Sequence, residues 1–278
     1  MAALLNIVGA GHVGSALGRV LAARGGFTVQ DVLTRAPVSA RAAVDFIGAG
    51  RALDGIGGLR PAAVWMLAVS DDRIADVAAT LAGLAGPLGL QGAVVFHCSG
   101  AKASGELAPL RAAGAFIASV HPVRSFADPE AVAASFDGTF CGVEGDQGAL
   151  AVLMPAFEAA GARMVTIDAA AKTVYHAASV FASNYLVTVL DAALRAYQAA
   201  GIPEPVAREL AQPLASESLA NVMRLGAPKA LSGPIARGDH ATVARQQAAV
   251  TAWDAPTGQL YDALAQATRE LARRKQQS

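Results

Sequence analysis

Six residues near the start of the chain, Gly9-Ala10-Gly11-His12-Val13-Gly14, have the spacing that cradles a dinucleotide pyrophosphate. Each glycine has its own reason to be there. Gly9 permits a tight turn, Gly11 leaves no side chain between backbone and phosphate, and Gly14 lets a helix pack close to a strand. His12 and Val13 open that helix, whose free N–H groups and positive dipole end suit an anion. The context fits: an apolar strand, Leu4 to Val8, precedes the glycines, and an apolar helix, Ser15 to Ala23, follows.

The end of the second strand, Val29 to Leu33, selects between cofactors. An NAD site places an acid there for the ribose 2′-OH. Here Asp31 lies inside the strand, which ends in Leu33-Thr34-Arg35. A hydroxyl and a guanidinium suit a 2′-phosphate, so Thr34 and Arg35 predict NADP rather than NAD. Val69 and Ser70, closing the strand from Val64, complete the expected cofactor contacts.

Further chemistry falls at the ends of later strands. Phe96-His97-Cys98 runs into Ser99 and Gly100, placed to line a nicotinamide or a substrate, or simply to turn the chain. His97 reads as a packed, hydrogen-bonded histidine. His121, before Pro122, is a candidate proton partner for hydride transfer, with a loop-capping role as the competing reading. Arg124 and Ser125 could touch an anionic substrate.

Beyond these, Lys172, His176, Ser179 and Ser183 recur at i, i+4, i+7 and i+11, one face of a helix, with Asn184 beside them. Such a stripe faces a polar cleft or solvent. The catalytic candidates are therefore Lys172, His121, His176, Ser99 and Asn184. Ser183 and Arg237 are candidate substrate contacts. In the second case Asp239 caps the following helix. Cys98 and Cys141 have no metal-site spacing, and no metal is expected.

The elements that must position these residues alternate strand and helix as far as Ile167. Strands are predicted at Val29–Leu33, Val64–Val69, Ala93–Phe96, Phe116–Val120, Thr139–Val143 and Met164–Ile167. Helices are predicted from Asp71-Asp72 to Leu84, at Ser104–Ala113 and at Gln147–Ala160. This alternation predicts an α/β fold with a doubly wound parallel sheet of the Rossmann type. The glycines between Arg41 and Arg60 obscure any periodicity. After Asp168, a plausible N-cap, only helices are predicted: to about Ala200, then Glu204–Leu225, His240–Trp253 and Pro256–Arg274. Two domains follow, a nucleotide-binding one at 1–168 and an all-helical one at 169–278. The apolar run Thr173–Leu190 is broken by His176, Ser183 and Asn184, which predicts a buried helix rather than a membrane span.

Composition narrows the function classes. Lys plus Arg and Asp plus Glu both number 22, so the chain has no electrostatic footprint for nucleic acid or an anionic membrane. Hydrophobic residues make up 54% of the chain, enough for a large core. Two cysteines without a framework, and a start without a basic leader, predict a reduced cytoplasmic protein.

Together these blocks resemble a bacterial family of Rossmann-like oxidoreductases whose helical C-terminal domain has no assigned function. The stretches that carry the resemblance are Gly9–Gly14, His97–Gly100, His121-Pro122 with Phe126, Tyr175-His176-Ala177-Ala178 through Asn184-Tyr185, and Ala230–Asp239. More distantly the chain is similar to the 6-phosphogluconate dehydrogenase-like group, which includes β-hydroxyacid and prephenate dehydrogenases and pyrroline-carboxylate and ketopantoate reductases. That resemblance implies a catalytic lysine at Lys172. His176 stands where the β-hydroxyacid enzymes place asparagine, and Asn184 comes three turns later. His121-Pro122 matches the His-Pro pair of prephenate dehydrogenases, without the flanking glycines. The group implies a homodimer through the helical domain. The expected activity is hydride transfer between NADP and a small carbonyl, imine or hydroxyl substrate. The alternative is a non-catalytic NADP-binding sensor or assembly module.

Overall fold

The computed structural model describes residues 2–276. The chain divides into two compact units, one ending at Phe181 and the other beginning at Ala182. The first unit contains, in order, β1 (Ala3–Val8), α1 (His12–Arg24), β2 (Phe27–Leu33), α2 (Pro37–Ile47), β3 (Arg51–Leu53), β4 (Val64–Leu67), α3 (Ile74–Ala82), α4 (Ala85–Leu88), β5 (Val94–His97) and α5 (Ala108–Ala112). It continues with β6 (Phe116–Pro122), α6 (Pro129–Ala134), β7 (Phe140–Gly145), α7 (Gln147–Ala159), β8 (Arg163–Thr166) and α8 (Lys172–Val180).

One eight-stranded sheet runs in the order β3-β2-β1-β4-β5-β6-β7-β8. Val64 and Met66 of β4 face one core with Leu5, Ile7 and Phe96. Trp65 and Leu67 face the other, with Val95 and Ile117. A central strand buried on both faces reads as an unbroken apolar run, which is how β4 appears in the sequence.

The doubly wound sheet is present, with one correction to its direction. β6 and β7 pair antiparallel, so β7 and β8 run against the other six strands. The cause is the 123–139 connection. It leaves the carboxyl end of β6, packs α6 against α1, and re-enters at the same end, where Pro122 pairs with Cys141. The illegible stretch after Arg41 holds the end of α2 and the edge strand β3. Asp31, fully buried in β2, bonds Arg51 of β3 and Arg60 of the following loop. Burial alone would raise its carboxyl; the two guanidiniums outweigh that and hold it low.

The second unit comprises α9 (Leu186–Ala199), α10 (Glu204–Leu225), α11 (Ala227–Ala230), α12 (Gly233–Ala236), α13 (His240–Trp253) and α14 (Ala255–Gln276). A π turn at Phe181–Tyr185 joins α8 to α9. The apolar run was expected to be buried, and here the structure differs. The helical stretch Ala169–Ala199 is long and apolar enough to cross a membrane, and none of its most apolar window is buried. Among the described residues of the second unit, only Ala207, Val243 and Ala265 are buried apolar side chains.

Candidate functional site

The β1–α1 turn has the geometry its sequence promised. Gly9 has φ +87°, and a Cβ there would stand 2.7 Å from the Ala68–Val69 backbone. That contact brings Val69, and Ser70 beyond it, alongside the turn. A Cβ on Gly14 would strike the Gly9 carbonyl. At Gly11 a Cβ would meet nothing within 4 Å. The fold itself thus needs glycine at 9 and 14 and leaves open space above 11. No side chain caps α1 and its first turn holds no acid, so the N–H groups there, from His12 onward, have no side-chain acceptor. His12 also donates from Nδ1 to the Phe126 carbonyl at 2.8 Å, tying the glycine turn to the β6–α6 loop.

At the end of β2, Arg35 is exposed. The Thr34 hydroxyl donates to the Ala36 carbonyl at 2.7 Å, which shapes the turn into α2. That helix begins with Pro37 and has neither a capping side chain nor an acid in its first turn. Asp31, the one nearby acid of the strand, is consumed by Arg51 and Arg60.

A second group of residues gathers where β5, β6 and β7 meet α8. Register explains it. Ser119 pairs with Glu144 and His121 with Gly142, so all four point to one face of the sheet. α8 lays Lys172, Tyr175 and His176 on that face. Lys172 is 1% exposed. Its Nζ donates to the Ser99 carbonyl at 2.8 Å and to the Ser119 hydroxyl, and lies 3.8 Å from Glu144 Oε1. Burial pushes the ammonium down to about 8 against the pull of Glu144.

Glu144 is spoken for on its other side, accepting from the Ser104 N–H and hydroxyl at 2.7 Å each. His97, fully buried, accepts from the Ser99 N–H on Nδ1 (3.2 Å) and donates from Nε2 to the Ala103 carbonyl (3.1 Å). Burial pushes it down to about 4, so it is neutral, as a packed histidine should be.

His121 is different, because half of it is spare. Its Nδ1 meets the Tyr175 hydroxyl at 3.0 Å, and its ring stands edge-on to both Tyr175 and His176, with centroids 5.6 Å apart in each case. The Tyr175 hydroxyl donates to Nδ1 when the His121 ring carries its hydrogen on Nε2. The lack of a side chain at Gly142 makes room for that phenol. Burial, with His176 and Lys172 nearby, pushes His121 down to about 4. The Cε1–Nε2 edge of His121 faces Gly100, where a Cβ would stand 2.7 Å from both atoms and would also strike His176.

The structure therefore brings Ser99, Gly100, His121, Lys172 and His176 together. Ser183, Asn184 and Arg237 belong to the second unit, and all three are exposed. The helical stripe from Lys172 to Ser183 assumed 3.6 residues per turn throughout. The π turn closes over an extra residue, and so takes Ser183 out of phase with Lys172 and His176. Asp239 caps α13 by accepting from Thr242 N–H at 3.0 Å. Arg124 is turned away to Ser135 and Thr139. Both cysteines are free, and burial pushes their thiols up to about 12. Glu144 and Tyr175 are the residues the sequence reading did not place in the site. Glu144 lies one residue beyond the predicted strand Thr139–Val143, and the structure extends that strand to Gly145.

The fold and this cluster define a Rossmann-type nucleotide-binding unit joined to a helical one. Comparison gives the particulars. Residues 2–122 match the Rossmann-like domain family, and residues 139–268 match a domain of unknown function, DUF2520. Protein TM1727 from Thermotoga maritima is similar over 98% of this chain and 99% of its own, at 27% identity and a TM-score of 0.72. BF3122 from Bacteroides fragilis, provisionally described as an NADP oxidoreductase, shares the fold at 19% identity and a TM-score of 0.78, over 96% and 98%. So does a pyrroline-5-carboxylate reductase from Coxiella burnetii, at 13% identity and 0.56, over 99% of each chain. None of the curated proteins matches.

Proposed function

We propose that the protein is an NADP-dependent oxidoreductase acting on a small carbonyl, imine or hydroxyl substrate. The observation that carries this is the contrast among the three glycines. Gly9 and Gly14 are required by packing, but the open space over Gly11 beside an uncapped helix start serves a ligand, not the fold. The descriptions of BF3122 and of the Coxiella reductase agree with this reading.

A nicotinamide dinucleotide bound there would supply or accept the hydride. Gly9, Gly11 and Gly14 hold its phosphates with His12 and Val13, and Val69 and Ser70 line its path. Arg35 takes the 2′-phosphate, joined by Thr34 when its hydroxyl turns from the Ala36 carbonyl, since no free acid awaits a 2′-hydroxyl. Ser99 and Gly100 border the reacting end.

Between Lys172 and His121, His121 is the better proton carrier. The ammonium of Lys172 is engaged by Ser99, Ser119 and Glu144. His121 is neutral near pH 7, accepts from the Tyr175 hydroxyl on Nδ1, and so carries its own hydrogen on Nε2. It passes that hydrogen to the oxygen or nitrogen on the reacting carbon as Nδ1 takes up the Tyr175 phenol proton, so the ring stays neutral and the phenol is left as phenolate; the same relay runs backwards in the reverse direction. His176 shapes the same pocket. Ser183, Asn184 and Arg237 are proposed as substrate contacts from the helical unit. That unit is also proposed to pair two copies of the chain.

The test is a fluorescence titration with NADPH and NADH on wild type and Arg35→Ala. NADPH is expected to bind at least tenfold more tightly than NADH, with the preference largely lost in the variant. Absence of binding by either nucleotide would sink the reading. Binding without NADPH consumption across carbonyl and imine panels would favour a sensor.

A further inference from the structure

The polar residues around Lys172 have a shared target, the loop from Cys98 to Ser104. Its near end is held by Lys172 Nζ on the Ser99 carbonyl and by His97 on the Ser99 N–H. Its middle folds on the Ser99 hydroxyl, which accepts from the N–H groups of Ala101 and Lys102 at 3.2 and 2.9 Å. Its far end is held by His97 on the Ala103 carbonyl and by Glu144 on Ser104. His97 bonds both ends from within β5, and Glu144 ties the far end to the near one from β7, bonding Ser104 directly and facing the ammonium that grips Ser99. Glu144 is 5% exposed and fixed in β7 directly opposite Ser119. Between the two ends sits Gly100, against the rings of His121 and His176.

We infer that Glu144 is a positioning residue: from inside the sheet it sets the Ser99–Ser104 loop and Lys172 together, and so fixes the dry, ordered surroundings of His121. The inference rests on the reading of His121 as the proton carrier and names the residue that prepares it. The carboxylate acts through two links. It keeps Lys172 charged in place, and it keeps the loop closed over the imidazole. Losing it would free the loop, admit water, and release the Lys172 ammonium from its fixed place near the ring. Both changes favour protonation of His121. The groups that bear on that ring are Lys172, His176, Asp71 and the Tyr175 hydroxyl.

The experiment is an NMR titration of the histidine side chains in the labelled full chain, with the His121 signal assigned through His121→Gln. In wild type His121 should remain neutral down to about pH 4. In Glu144→Ala its midpoint should rise by at least one pH unit toward the ordinary value of about 6.5. Ser104→Ala, which removes one hydroxyl bond, should move it less in the same direction. Glu144→Gln, which keeps an acceptor for the Ser104 N–H, should lie between wild type and Glu144→Ala. If Glu144→Ala fails to fold, the last two variants decide. A His121 midpoint unchanged in the folded variants, whatever their melting temperatures, would overturn the inference and leave Glu144 a plain stabiliser. NADPH titration of the same wild-type sample separates the two readings. Shifted midpoints without nucleotide binding would keep the positioning role and remove the oxidoreductase.

Discussion

The chemistry of the cluster follows from which groups have bonds to spare. Lys172 looks reactive in the sequence, and the structure occupies its ammonium; His97 has both ring nitrogens engaged. His121 keeps its Nε2 edge free of hydrogen bonds. The buried histidines also carry a cost in acid. The folded His97 titrates near 4, below the unfolded value of about 6.5. As pH falls below 6.5 the unfolded chain takes the proton first, so the stability that neutral His97 allows is present above that pH and lost on the way to 4. At pH 5 this residue alone should lower stability by up to about 2 kcal/mol relative to pH 7. Urea unfolding at the two pH values measures it. His97→Gln, which keeps a donor and an acceptor, should reduce the pH difference by a similar amount. Equal pH dependence in wild type and variant would show that the proton goes elsewhere.

At the scale of elements, the β1–α1 turn makes the sharpest prediction. Gly11→Ala meets no atom within 4 Å and should leave the melting temperature within about 2 °C, while weakening NADPH binding tenfold or more. Gly14→Ala drives a methyl into the Gly9 carbonyl and should destabilise the protein whether or not nucleotide is present. Differential scanning fluorimetry with and without NADPH separates the two; if Gly11→Ala binds like wild type, the turn is structural only. This turn was readable because strand, glycines and helix are local. β1, β2, β4, β5 and β6 were legible for the same reason, as short apolar runs between turn residues. What escaped was non-local. The three-residue β3 is held by Asp31, which lies twenty residues from Arg51 in sequence. The reversal of β7 depends on where the 123–139 connection returns, and a run of apolar residues reads the same in either direction. Glu144 and Tyr175 belong to the site only because that reversal sets Glu144 opposite Ser119 and Gly142 opposite His121. The π turn likewise has no period of its own to betray it, and it dissolved the apparent stripe at Ser183.

The whole molecule poses a question that the single chain leaves open, namely what covers its helices. Periodicity identified α9, α10, α13 and α14, but the assumption that an apolar helix is buried by its own chain failed. In α10, Val206, Leu210 and Leu214 recur every four residues, 44%, 45% and 60% exposed. Val187 of α9 and Met223 of α10 are 66% and 77% exposed. Three buried apolar side chains among the described residues of this unit are few to offset the conformational entropy of its ordering. A second copy answers this economically: it presents the same apolar face, is present whenever the first is, and can bury the roughly 800 Å² per partner that a stable pair needs. Light scattering at micromolar concentration should therefore give the mass of two chains. Leu214→Asp combined with Met223→Asp should reduce it to one, with loss of helical signal on dilution, because folding and pairing of this unit are then one equilibrium. A wild-type mass of one chain with undiminished helicity at nanomolar concentration would mean that α9 and α10 stand without a partner. The second unit would then need some other source of stability than a doubled core.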